Sequence, residues 1–124
     1  MQYATTSDGV RVAYMSLGDG PPVVFASNIF GDLSAYLGGW PAAKEGTDRA
    51  VNQGWRVILY DVRGMGFSDR NVADVELAGR VLDVEAVVAA SISIGSPLPV
   101  SISAPLQRWP TRLEIWRRYR ASCF

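Results

Sequence analysis

The sequence contains no histidine and a single cysteine, and these two scarcities exclude much chemistry. Without histidine there is no imidazole to serve as general base for a serine or cysteine nucleophile, no imidazole metal ligand, and no side chain that changes charge near neutral pH. A Ser-His-Asp triad therefore cannot be assembled from these 124 residues. Cys123 has no intrachain disulfide partner and cannot build a thiolate cluster, which fits a reducing, cytoplasmic setting. No metal and no cofactor is expected. Net charge is missing as well: twelve Lys and Arg balance twelve Asp and Glu, so overall charge makes no case for nucleic acid or an anionic surface.

Several nucleotide and nucleophile motifs are also absent. No G-x-x-x-x-G-K-S/T occurs, and Gly64-Met65-Gly66-Phe67-Ser68-Asp69 has two of the three glycines of G-x-G-x-x-G but ends in Asp. The nucleophile-elbow pattern G-x-S-x-G is missing, because Gly66-Phe67-Ser68 continues as Asp69-Arg70; Ser68 reads as a loop hydroxyl. The uncharged stretch from Ala86 to Gln107 is long enough to span a bilayer. Gly95, Pro97, Pro99, Pro105 and five serines break it, so no membrane span is expected. Met1 to Asp8 has neither a basic start nor an apolar core, so no signal peptide is expected.

What remains is a legible order of elements. Tyr3 to Thr6 and Val10 to Leu17 read as an antiparallel hairpin across the Asp8-Gly9 turn. Gly18 to Pro22 breaks the chain, and Val23 to Ala26 follows as a short apolar strand. A helix is predicted from about Ala42 to Gln53, ended by Gly54, and then a buried strand from Trp55 to Tyr60. A polar, glycine-rich loop from Asp61 to Ala73 leads to Asp74, a good N-cap for a helix with Leu77, Val81, Val84 and Val88 on one face. A hairpin followed by β-α-β-α predicts an α/β fold.

Tyr60-Asp61-Val62-Arg63-Gly64-Met65-Gly66-Phe67-Ser68-Asp69 resembles the D-x-R-G-x-G-x-S-D segment of α/β-hydrolase-fold proteins. The stretch "YATTSDGVRVAYMSLGDGPPVVF" is similar to the N-terminal hairpin and third strand of that fold, and "ELAGRVLDVEAVVAA" to the helix before its nucleophile strand. The likeness runs from about Gln2 to Ala90 and extends, less closely, to hydrolase-like domains at the N-terminus of some bacterial cyclases and transcriptional regulators. It implies a partial α/β-hydrolase sheet over residues 1–91 and a small-molecule substrate with an ester-like bond for an intact relative. Where the family usually has His-Gly after the third strand, this chain has Ser27-Asn28, so the resemblance makes the backbone of Asn28 and Ile29 the oxyanion-hole candidates; the alternative is that Ser27-Asn28 only caps the strand and starts a loop. For Asp61, Arg63, Gly64, Gly66, Ser68 and Asp69 the expected role is structural: polar side chains around two glycines tie down a tight turn. No catalytic residue is assigned.

The chain changes character near Ser91. Up to that residue it carries seven basic and eleven acidic residues; beyond it come Arg108, Arg112, Arg117, Arg118 and Arg120 with Glu114 alone. Aspartate disappears, and residues 92–124 form an irregular tail, Ser/Pro-rich and then Arg/Trp-rich. The strand and elbow that the family would place next are not legible there. A truncated or frameshifted product is the expected explanation, checked by sequencing the coding DNA past Ala90 for an open alternative frame. An α/β sheet lacking further strands would expose an edge, so self-association is expected. The alternative is a small binding module that uses the Arg/Trp-rich tail on nucleic acid or an anionic surface. Nucleic acid is not the preferred partner, since shifted reading of GC-rich DNA yields Arg, Pro, Ser and Trp without functional cause.

Overall fold

The computed structural model describes residues 1–26 and 32–92. The hairpin forms from β1 (Gln2–Thr5) and β2 (Arg11–Leu17), antiparallel with Tyr3 opposite Ala13 and Ala4 opposite Val12. Its connection closes through two backbone bonds, Gly9 N–H to Thr6 C=O at 3.0 Å and Thr6 N–H to Val10 C=O at 2.9 Å. After β3 (Pro22–Ala26) come a short helix α1 (Leu33–Leu37), α2 (Pro41–Asn52), β4 (Arg56–Tyr60) and α3 (Leu77–Ser91).

The four strands make one sheet in the order β1-β2-β4-β3, with β4 antiparallel to β2 and parallel to β3. The parallel pair requires a crossover between its strands, and α2 lies on that connection. Both faces of the sheet are covered. Val12, Tyr14, Ile58 and Tyr60 point to the side where Val87, Val88 and Ile92 pack, whereas Ala13, Val57 and Leu59 point to the side of Leu33, with Ala50 and Val51 of α2 packed against them. The strict alternation along β2 and β4 is the two-residue period of a pleated strand, and burial on both faces explains why β4 reads as one apolar run.

Three details depart from expectation. The helix α1 was not apparent in the sequence, since five residues are too few for helical periodicity; Asp32 at its N-cap, whose carboxylate accepts the Ala35 N–H at 3.2 Å, is the one local signal for it. Asp74 is not the N-cap of α3. Glu76 holds that position, and Asp74 Oδ1 accepts the Glu76 N–H at 2.8 Å, closing a turn ahead of the helix. The buried face of α3 is Gly79, Asp83, Val87 and Val88, while Leu77 is exposed. The rotation away from the purely apolar stripe has an electrostatic cause described below. No helix among the described residues is long and apolar enough to cross a membrane.

Candidate functional site

Ligands of open α/β sheets bind beyond the carboxyl ends of the parallel strands, where successive loops diverge. Here those ends are Ala26 and Tyr60, paired in register. The loop candidates Asn28 and Ile29 lie outside the described residues. The segment after β4 is described in full, and it brings the remaining sequence candidates together.

Asp61 follows Tyr60 and is completely buried. Its carboxylate accepts the Leu33 N–H through Oδ1 and the Phe67 N–H through Oδ2, both at 2.8 Å. Its backbone is held separately: the Asp61 N–H donates to Ala13 C=O at 3.0 Å, and the Asp61 C=O accepts the Ser68 hydroxyl at 2.6 Å. Ser68 Oγ in turn accepts the Ala13 N–H at 2.8 Å. The hydroxyl of Ser68 is thus committed as both donor and acceptor, in a residue only 4% exposed. Asp69 joins the turn to the hairpin: its carboxylate accepts the Arg11 N–H at 2.9 Å, its N–H donates to Arg11 C=O at 3.0 Å, and its own C=O accepts the Gly64 N–H at 2.8 Å. Gly66 packs directly on Asp61; a Cβ built there would lie 2.0 Å from Asp61 Oδ2.

Arg63 reaches much further than the local turn that the sequence suggested. Its N–H and Nε donate to the two oxygens of Asp83 at 2.9 and 2.8 Å, tying the turn after β4 to α3. Its outer nitrogens form a fork on Asp8, with Nη1 to Oδ2 at 2.7 Å and Nη2 to Oδ1 at 3.1 Å, and Nη1 also donates to Asp74 C=O at 3.2 Å. The Arg63 and Asp83 side chains are 1% and 0% exposed, whereas Asp8 is 37% exposed. One guanidinium therefore joins the hairpin turn, the turn after β4 and the buried face of α3. Gly79 makes the approach feasible, since a Cβ at that position would lie 2.7 Å from Arg63 Nη1 and 2.9 Å from Asp74 C=O. Asp83 and Gly79 are not marked by apolar spacing; an aspartate one helical turn after a glycine is the signal that the sequence holds.

The electrostatics follow from this geometry. Burial pushes the Asp83 carboxyl above the ordinary aspartate value, against the pull of the Arg63 N–H groups. The Arg63 fork, aided by the Thr6 hydroxyl, holds the Asp8 carboxyl down from 3.8 to about 2. Because folding depresses this pKa, the Asp8–Arg63 contact contributes fully above pH 3.8 and is lost as pH falls through about 2. Asp8→Asn is accordingly expected to melt below the parent protein at neutral pH, with the gap closing between those two pH values. Melting curves of both proteins across that range check it; a gap that stays constant down to the lower pH would contradict it.

Among the described residues, no group of three or more His, Cys, Asp or Glu side chains is placed to hold a metal ion. A shallow depression of about 400 Å³ opens beside the Arg63 fork and is lined by Asp8, Arg63, Asp69, Asn71 and Asp74 among others. The arrangement as a whole fastens a turn and leaves no free hydroxyl among its members to attack a substrate.

No family model matches the chain. Two curated relatives do: it is 31% identical over 93 residues to a non-heme haloperoxidase of Rhodococcus erythropolis, and 33% identical over 96 residues to a non-heme chloroperoxidase of Streptomyces lividans. The alignments cover 72% and 73% of this chain but only 30% and 31% of those proteins. Among solved structures, an α/β hydrolase of Sphaerobacter thermophilus matches 72% of this chain at 33% identity and a TM-score of 0.52. These residues are the N-terminal part of an α/β-hydrolase fold. The chain spans about a third of the length of the hydrolase structure as well, 31%. Among the described residues, the hairpin, the parallel pair and the α3 helix belong to that fold, and the Asp61–Asp69 segment is the turn leaving its β4 strand.

Proposed function

We propose that this chain carries the scaffold portion of a hydrolase acting on ester-like or related bonds of small molecules, and that the 124 residues alone do not turn such a substrate over. The observation that carries the reading is the state of Ser68. It is the serine of the family-like segment, yet its hydroxyl donates to Asp61 C=O and accepts from the Ala13 N–H inside the core. A nucleophilic hydroxyl must instead be exposed to its substrate and paired with a base. The chain has no histidine to supply that base and no G-x-S-x-G elbow. The polar groups of Asp61, Arg63, Ser68 and Asp69 position the strands and loops on which a site is built, and the substrate class is taken from the family relationship. The curated relatives are haloperoxidases by name, so a halide-dependent oxidation belongs among the activities to assay on any longer form.

The test is ester hydrolysis by the purified 124-residue chain, using a chromogenic short-chain ester. No rate above buffer is expected, and Ser68→Ala is expected to leave that background unchanged. Turnover by the parent chain that Ser68→Ala abolishes would overturn the reading.

A further inference from the structure

The geometry points to Asp61 as a positioning residue that sets the spacing of the two loops at the carboxyl end of the parallel strand pair. The inference rests on the reading above, in which that end of the sheet carries the site. Leu33 opens α1 on the connection after β3, 28 residues before Asp61, while Phe67 lies six residues after it on the turn leaving β4. One carboxylate holds both, an oxygen for each N–H at 2.8 Å. The side chain is not needed to hold Asp61 itself. Its backbone is fixed on both sides by Ala13 and Ser68, and the tie between the turn after β4 and α3 runs separately through Arg63 and Asp83. The carboxylate is therefore available for loop spacing. The bond to Leu33 is buried and the bond to Phe67 half-buried, so competing water is kept from the first and limited at the second.

A carboxylate suits this task because it offers two equivalent acceptors. An amide of the same shape offers one acceptor and an NH2 that repels a second N–H donor. Asp61→Asn keeps an acceptor for one of these two N–H groups and turns a donor toward the other.

Amide hydrogen exchange on the 15N-labelled full chain tests this. In the parent protein the Leu33 and Phe67 amides are both expected to be protected, because each has its own carboxylate oxygen. In Asp61→Asn, one of the two is expected to lose protection by on the order of tenfold to a hundredfold, while Thr6 and Ala13 keep theirs. Uniform loss across the whole chain, or no change at either amide, would overturn the assignment. If the variant does not fold, the parent protein decides: protection at both amides supports the clamp, and protection at neither or at one alone sinks it. Ester turnover plays no role in this readout, so failure of the clamp and failure of the hydrolase reading are distinguishable.

Discussion

Asp83→Ala is expected to cost about 3–5 kcal/mol of folding stability, the range found when one partner of a buried ion pair is removed. The side chain is fully buried and serves two donors of Arg63, the backbone N–H and Nε. Removing it leaves both without an acceptor in a site that water does not reach, and leaves a guanidinium that is 1% exposed relying on the half-open Asp8. Small domains are stabilised by only about 5–15 kcal/mol in total, so the variant should be largely unfolded in moderate denaturant. Pairing the change with Arg63→Met should recover part of the loss, because a buried charge without its partner costs more than an apolar pair of similar volume. Urea denaturation of the parent, both single variants and the double variant measures this directly. A single-variant loss under about 1 kcal/mol, the scale of an exposed ion pair, would show that Arg63 is not held as described.

Gly66→Ala should be the second severe change, and Gly9→Ala its control. Both glycines have positive φ, +52° and +87°, so in each case alanine incurs the left-handed backbone cost of roughly 1–2 kcal/mol. The surroundings differ. A Cβ at Gly9 meets nothing within 4 Å, whereas at Gly66 it would lie 2.0 Å from Asp61 Oδ2 and 2.5 Å from its Cγ. The Asp61 carboxylate cannot yield without giving up its bonds to Leu33 and Phe67, and a buried hydrogen-bonding group left unpaired costs about 1–3 kcal/mol each. Gly66→Ala is therefore expected to lose at least about 2 kcal/mol more than Gly9→Ala, read from thermal or urea melts. Equal losses would show that the turn accommodates a methyl group and that the contact with Asp61 is not close.

The pattern of local elements was legible because it depends on neighbouring residues. The hairpin across Asp8-Gly9, the apolar run of β4 and the end of α2 at Gly54 all lie within a residue or two of where spacing and turn chemistry put them. The short α1 is not legible in the sequence, because one turn of helix has no period to read. The α3 face differs for another reason: counting apolar side chains makes Leu77 the start of the buried stripe, yet the helix turns Gly79 and Asp83 inward to meet Arg63. A partner 20 residues away along the chain decides that rotation, and amphipathic spacing carries no information about it.

The same division holds for the site. Composition alone determined that no histidine-dependent mechanism can operate within these residues, since a missing side chain cannot be supplied by folding. The run from Asp61 to Asp69 was enough to mark a polar turn of hydrolase type. Only the tertiary structure decided that the carboxylate of Asp61 joins two loops, that Ser68 is spent inside the core, and that Arg63 binds the hairpin to α3. Those bonds link residues as far as 55 positions apart, and a hydrogen bond takes its direction from where packed backbone places its donor and acceptor.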